Sequence, residues 1–187
     1  MSSDGDNLAQ AGSLASLNFA IVGFIMITAL PVLLPRISKW LKKNNEGPAS
    51  DLRELVWLWV TTQPLLGVLL VATLAAVYQW QGIVLIALAG IPWAVTQWVP
   101  FAIVGYEISS LGLTGVRDED NSDESDSGAI MGVHNMAISL PQVLSGLVSS
   151  LTYKIAETAG SEVPTAWVLA SSGIAAFVAS FLARRML

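Results

Sequence analysis

The sequence predicts an all-α membrane protein with five transmembrane helices. Hydrophobic residues make up 53% of the 187 residues and charged residues only 12%, whereas a soluble domain averages about 25% charged residues. The charges are also segregated, because almost all of them lie between long apolar runs. A helix needs about 20 apolar residues to cross a bilayer. Stretches of that length are found at 14–34, 55–78, 83–113, 130–153 and 163–182.

The basic residues predict how these spans are oriented. All Lys and Arg residues except Lys154 follow the first, third or fifth span. With five spans these segments lie on one side of the membrane, and positive charge marks the cytoplasmic side. The N-terminus is therefore predicted outside and the C-terminus in the cytoplasm. The first ten residues are polar and acidic without a basic region, so we expect no cleaved signal peptide.

One connection between the spans is strongly acidic. The segment 117–127 holds six acids between Asp118 and Asp126, and such a charge density repels itself and does not pack. We interpret it as an acidic cytoplasmic loop. A calcium loop is excluded, because Asp123 occupies the position that requires glycine. The remaining connections are predicted at 35–51, 78–82 and 154–162.

The fourth span carries polar side chains, which are expensive in hydrocarbon. Asn135, Ser139 and Gln142 recur at i, i+4 and i+7 and therefore share one helix face. Such a row either bonds to a neighbouring helix or lines a cavity, and both interpretations stay open. His134, the single histidine, and Glu107 of the third span are predicted at similar depth near the cytoplasmic side. Either the two side chains form a gate whose charge changes with pH, or they only pair with each other because an unpaired polar group is costly in a membrane.

The third span is the most interrupted helix. Pro92 and Pro100 each remove a backbone donor, and interrupted helices are typical of transport pathways. Trp93 and Gln97 lie one turn apart, so an indole that can stack on a sugar ring accompanies an amide that can bind hydroxyls. The alternative for Trp93 is packing against helices or lipid. In the second span, Gln63 is interpreted as a helix–helix contact.

Residue types exclude several other functions. The chain has no cysteine and one histidine, so we predict no metal site. Without a phosphate-binding glycine loop, an HExxH motif or a GxSxG motif, we predict no enzyme and no bound cofactor. Basic residues do not interleave with aromatic ones, which argues against nucleic acid as a partner. The lipid bilayer is the partner that the composition itself implies.

Two stretches resemble sucrose and α-glucoside transporters of the major facilitator superfamily, particularly the fungal branch. The stretch 86–109 resembles their tenth helix. The stretch 128–155 resembles their eleventh helix, where the pattern G-x-H-N-x-A-I-x-x-P-Q is characteristic. With weaker matches near 35–38 and 166–185, the resemblance covers about residues 12–185. The chain supplies the pattern with Gly132, His134, Asn135, Ala137, Ile138, Pro141 and Gln142.

The resemblance implies a sucrose, maltose or other α-glucoside:proton symporter, of whose twelve helices this chain has only helices 8–12. We expect it to be a C-terminal fragment that is inactive alone and needs the missing N-terminal helices or another carrier chain. The plasma membrane is the expected location, and the vacuolar membrane is the alternative. In the intact protein, the resemblance implies a cavity in which Gln97, Asn135 and Gln142 face the sugar. Trp93 and Ser139 are further pathway candidates from the residue pattern, and Glu107 and His134 are the gate or proton-linked candidates.

Two other functions stay open at this point. One is a non-transporting membrane interaction protein that associates with a full-length carrier through small-residue helix faces, such as that of Gly128 and Gly132. The other is a small oligomeric channel.

Overall fold

The computed structural model describes residues 2–41, 48–113 and 123–186, and every long element in these ranges is a helix. The predicted all-α class is thus confirmed. Four of the helices, all except the fourth, are long and apolar enough to cross a membrane. The helices are α1 (Ser2–Leu41), α2 (Pro48–Ala72), α3 (Gln79–Leu113), α4 (Asp123–Thr158) and α5 (Pro164–Ala183), with short 3-10 turns at Thr73–Ala75 and Arg184–Met186.

Helix α4 contains the predicted fourth span, 130–153, but is less apolar than the others. Its 36 residues are more than enough to cross a bilayer. The polar side chains along it, including Asn135, Ser139 and Gln142, lower its average apolarity. Whether α4 spans the membrane therefore stays a prediction.

All four predicted connections need correction. The connection predicted at 35–51 is too long at both ends, because α1 continues to Leu41 and α2 begins at Pro48. The connection predicted at 154–162 is wrong in its first part, because α4 continues to Thr158. The acidic loop predicted at 117–127 is wrong in its last part, because α4 begins at Asp123. Acidic residue types are favoured in a first helical turn by the positive end of the helix dipole. Residues 114–122 lie outside the described residues. The turn predicted at 78–82 instead precedes Gln79, where α3 begins.

A side-chain cap explains the position of the turn before α3. The Gln81 Oε1 atom accepts hydrogen bonds from the backbone N–H groups of Val77 and Tyr78, at 2.8 and 3.0 Å. A glutamine three residues into a helix satisfies donors at the helix start in this way. The cap therefore fixes the beginning of α3.

The helices pack in a definite order. Helix α1 packs against α3, α3 against α2, α2 against α5, and α5 against α4. The main apolar cluster joins Leu30 of α1 with Ala94, Val95 and Val99 of α3, and Trp59 of α2 packs against it. Helix α3 is therefore central, and α4 lies at the edge.

Two of these helix pairs meet at glycines. A Cβ atom at Gly90 of α3 would lie 2.8 Å from the carbonyl oxygen of Phe19 and 3.1 Å from the backbone nitrogen of Gly23, both in α1. Between α2 and α5, a Cβ atom at Gly67 would lie 2.9 Å from the carbonyl oxygen of Gly173, and one at Gly173 would lie 2.8 Å from that of Gly67. Residues without a side chain are what allow backbones to approach this closely.

A proline in α2 frees a carbonyl group that α5 satisfies. Pro64 has no N–H, so the carbonyl of Val60, four residues earlier, loses its helical donor. The Ser180 hydroxyl of α5 donates to this oxygen at 2.9 Å. Val60 is 1% exposed and Ser180 is 4% exposed. Hydroxyl groups from neighbouring helices make prolines tolerable in membrane helices in this way.

Candidate functional site

The amide of Gln63 joins α2 to the interrupted helix α3. Gln63 is buried, and its Nε2 donates a hydrogen bond to the Thr96 hydroxyl oxygen at 2.6 Å. That hydroxyl in turn donates to the carbonyl oxygen of Pro92 at 2.9 Å. Gln63 is thus a helix–helix contact, as the sequence indicated, and its amide nitrogen bonds another helix instead of facing a pathway.

Trp93 lies within the packing of α1 against α3. Its ring lies 3.0 Å from the position that a Cβ atom on Gly23 would take. Its ring centroid is 5.1 Å from that of Phe19, with the planes tilted by 55°. These contacts favour the packing interpretation of Trp93 over stacking on a sugar. Its place in a pathway stays a prediction.

The predicted polar row of α4 lies on an uncovered part of the helix. Asn135, Ser139 and Gln142 are all exposed, and their side chains form no hydrogen bond with any residue in the described parts of the chain. Gln97 of α3 is half-buried, and among the described residues its side chain also forms no hydrogen bond. In the described helices the row therefore forms no hydrogen bond to another helix, which leaves it available to other groups.

The glycines near this row are uncovered as well. A Cβ atom at Gly128, Gly132 or Gly146 would meet nothing within 4 Å. The small-residue pair that was predicted to let another helix approach therefore has no helix against it in the described part of the chain. Close packing at glycine occurs between α1 and α3 and between α2 and α5 instead.

His134 contacts α3 through an aromatic ring. Its imidazole meets the Phe101 ring edge-on, with centroids 4.8 Å apart and planes at 83°. The buried Nε2 atom of His134 has no hydrogen-bond partner among the described residues. Glu107, also predicted for the gate, is exposed on α3 and takes part in an interaction. The geometry therefore brings His134 to Phe101, and a gate formed with Glu107 stays a prediction.

Lys154, the basic residue on the predicted outer side, is paired. Its Nζ lies 2.7 Å from Glu157 Oε2. The hydrogen bond and the attraction to this carboxylate raise the pKa of Lys154 above its usual value. The positive charge on this side is thus matched by an acid one turn further along the helix.

Two open cavities lie at helix turns, away from the predicted pathway residues. One, of about 540 Å³, lies at the α4–α5 turn, and Trp167 lines it. The other, of about 290 Å³, lies at the α2–α3 turn, and Trp80 lines it. Both tryptophans are exposed near helix starts. That position is typical of the aromatic residues at a membrane–water interface.

These features define an integral membrane protein of the all-α class, held together by glycine crossings and a few buried hydrogen bonds. The chain is 34% identical, over 133 residues, to the general alpha-glucoside permease of Schizosaccharomyces pombe. The match covers 70% of this chain and 22% of the permease, so the chain spans about a fifth of the length of the relative it matches. No family model and no solved structure matches it.

The comparison bears on two predictions from the sequence. Similarity to an α-glucoside permease is confirmed over 133 residues. The relative is a permease and not an enzyme, in agreement with the prediction. No comparison tests the assignment to helices 8–12, proton coupling or the pathway residues, which therefore remain proposals.

Proposed function

We propose that this chain is the C-terminal five-helix part of an α-glucoside permease, and that the complete protein carries sucrose, maltose or a related α-glucoside. The observation that carries the proposal is the identity of 34% over 133 residues to the S. pombe permease. The uncovered amides of Asn135 and Gln142 support it, because paired donors and acceptors suit the recognition of sugar hydroxyls.

Transport is proposed to be coupled to protons, with His134 and Glu107 as the candidates near the cytoplasmic side. An imidazole is the side chain whose charge changes most readily near physiological pH, and the Nε2 atom of His134 has no partner within the described part of the chain. The distribution of basic residues supports an external N-terminus and a cytoplasmic C-terminus. We place the protein in the plasma membrane, with the vacuolar membrane as the alternative.

The chain by itself is proposed to be inactive. Its polar row on α4 faces open space, so the described helices do not enclose a pathway around it. The part that it matches is also only 22% of the relative. A carrier that alternates between two sides is built from repeats that move against each other around a central site, and the remaining helices would have to supply the rest of that site.

A chimera of the S. pombe permease, in which this chain replaces the matched segment, tests the proposal. It is produced in yeast cells that lack α-glucoside uptake, and the uptake of radiolabelled sucrose and maltose is measured together with external pH. We expect sugar uptake accompanied by alkalinisation of the medium. The chain produced alone is the matched control and should give no uptake.

Two results would contradict the proposal. A chimera that reaches the plasma membrane but takes up neither sugar would remove the support for sugar transport. Uptake by the chain alone would show that the five helices are sufficient, and the idea of an inactive part would be wrong.

The uncovered face of α4 also favours a second candidate function. A chain with such a face can associate with a complete carrier and modulate it without transporting anything. In that case the chimera would be inactive, whereas adding the intact chain to cells with a full-length permease would change their uptake rate. The two candidates therefore give opposite results in the same assay.

A further inference from the structure

Helices α2 and α5 run antiparallel, in a register that is defined at two points. Gly67 of α2 lies against Gly173 of α5, and the Val60 carbonyl of α2 accepts a hydrogen bond from Ser180 of α5. We call the line of contact between them the α2–α5 seam. Continued at 1.5 Å per residue, this register places the first turns of α2 beside the residues that follow α5.

Two arginines lie at this end of the seam. Arg53 precedes the buried Val60 by seven residues, almost two full turns, so it points to the side of α2 that faces α5. Arg184 follows Gly173 by eleven residues, about three turns, so it points to the side of α5 that faces α2. Ala183, just before Arg184, is buried in one cluster with Val60, so the helices are still in contact at this depth. Both arginines are exposed.

The described part of the chain offers these two arginines no acidic partner. Among those residues, neither Arg53 nor Arg184 forms an ion pair or a hydrogen bond. Glu54 takes part in an interaction of its own, and it is turned about 100° around α2 from Arg53. Two positive charges on facing sides of neighbouring helices repel each other. An anion that lies against both of them removes this repulsion.

Aromatic side chains border the seam below the arginines. On α5, Phe177, Phe181 and Arg185 follow one another at intervals of one turn, and the guanidinium carbon of Arg185 lies 5.8 Å from the centroid of the Phe181 ring. A Cβ atom at Gly67 of α2 would lie 2.8 Å from the Phe177 ring, so this row follows the seam. In an antiparallel pair, positions turned in the same sense from the facing sides border the same side of the seam. Trp57 of α2 and Phe181 are such positions, at about 60° and 80°, and both are exposed.

We infer that this end of the α2–α5 seam binds the headgroup of an anionic phospholipid, with Arg53 and Arg184 on its phosphate. A guanidinium group presents several donors in a planar fork that matches phosphate oxygens. The site lies on the side that the basic residues predict to be cytoplasmic, and the anionic lipids of a membrane are found in that leaflet.

The aromatic border identifies a lipid and not a free phosphate as the ligand. Trp57 and Phe181 place exposed apolar surface next to the arginines, where the acyl chains of a bound lipid begin. An inorganic anion would make no use of this surface. The inference concerns the lipid contacts of the chain and therefore goes beyond its role in sugar transport.

Lipid binding by the purified chain tests the inference. The chain is kept in a mild nonionic detergent, and native mass spectrometry measures the affinity for the first bound lipid. Phosphatidylserine is the anionic probe, phosphatidylcholine is the zwitterionic one, and inorganic phosphate is added as a competitor. The variants are Arg53→Gln, Arg184→Gln and the double variant. The matched control is Arg36→Gln, which removes the same charge from an exposed arginine near the end of α1, on the same predicted side of the membrane.

We expect the parent chain to bind phosphatidylserine at least about fivefold more tightly than phosphatidylcholine. Each single glutamine variant should weaken the binding of phosphatidylserine by about fivefold, and the double variant by about twentyfold. Arg36→Gln should change it by less than about twofold, because Arg36 lies on another helix and distant surface charges are screened. Arg53→Lys retains the charge and should keep the preference for phosphatidylserine.

A second measurement separates lost binding from lost folding. The free energy of unfolding in mixed micelles with rising SDS should be the same for parent and double variant without lipid. Added phosphatidylserine should raise it for the parent only, because a ligand that binds the folded state stabilises that state.

Four results would each overturn the inference. They are equal affinity for the two lipids, an unchanged affinity in the double variant, an equal loss in Arg36→Gln, and displacement of the lipid by an equal concentration of inorganic phosphate. The third would show that the lipid responds only to the general surface charge, and the fourth that the site holds a free phosphate. Sugar uptake by the chimera is measured separately, so the failure of either proposal leaves the other standing.

Discussion

Ser180→Ala should weaken the pairing of α2 with α5, because it leaves the Val60 carbonyl without a donor. Pro64 removes the donor that a regular helix would offer to this oxygen, and Ser180 replaces it at 2.9 Å. A buried group that loses its partner costs about 1–3 kcal/mol. Hydrogen bonds between membrane helices average about 0.6 kcal/mol and reach about 1.7 kcal/mol. We therefore expect Ser180→Ala to lower the free energy of unfolding by about 1–1.5 kcal/mol.

The proline provides a second variant that isolates this cause. In Pro64→Ala the introduced alanine supplies an N–H to the Val60 carbonyl, so the Ser180 hydroxyl is no longer the only donor within reach. In that background, Ser180→Ala should cost less than about 0.5 kcal/mol, and the double-mutant cycle should give a coupling energy near 1 kcal/mol.

Reversible unfolding in mixed micelles with rising SDS, followed by tryptophan fluorescence and circular dichroism, measures these differences. Ser172→Ala is the matched control, because Ser172 is exposed and bonds only to Val168 of its own helix. It should change the free energy of unfolding by less than about 0.5 kcal/mol. Equal costs of Ser180→Ala with and without Pro64 would refute the capping argument.

The same unfolding assay checks further predictions. Gly67→Ala should cost about 1–3 kcal/mol, because the new Cβ would meet the Gly173 carbonyl oxygen at 2.9 Å, whereas Gly146→Ala, in open space, should be neutral or stabilise by up to about 1 kcal/mol. Gln63→Leu should cost about 1 kcal/mol through its lost bond to Thr96, and a neutral result would show that the bond contributes nothing. His134→Phe retains an aromatic ring against Phe101 and removes an unpartnered nitrogen, so stability should be maintained or rise. In the chimera, His134→Phe should lower proton-coupled uptake, and unchanged uptake would mean that His134 only packs.

Apolar length predicted the fold class but not the ends of the helices. The first span was expected at 14–34, whereas α1 extends from Ser2 to Leu41. An apolar run is only as long as the hydrocarbon core is thick. The helix itself can extend past the membrane surface wherever its backbone hydrogen bonds continue. The end of the turn before α3 depends on the Gln81 cap, a local signal that apolar runs do not reveal.

The sequence indicates which groups need a partner on another helix, but it does not identify the residue that supplies it. Pro64 alone indicates that the Val60 carbonyl needs a donor. Helix α5 offers several serines, and only the rotation and order of the packed helices select Ser180. Similarly, Gln63 was recognisable as a contact, but its acceptor Thr96 is 33 residues away in sequence. Periodicity gives the face of one helix and carries no information about which helix lies against it.

The polar side chains of Gln63, Ser180, Asn135 and Gln142 differ in whether another helix among the described residues bonds to them. In the packed part of the bundle, Gln63 and Ser180 are buried and bonded to other helices, so they serve the fold. On α4, Asn135 and Gln142 are equally costly in a membrane but have no partner among the described residues. A membrane protein retains such groups where another helix or a substrate meets them. We therefore propose the polar row of α4 as a surface at which this chain meets another helix or a substrate, and Gln97 of α3, which also forms no hydrogen bond among the described residues, stays a candidate beside it.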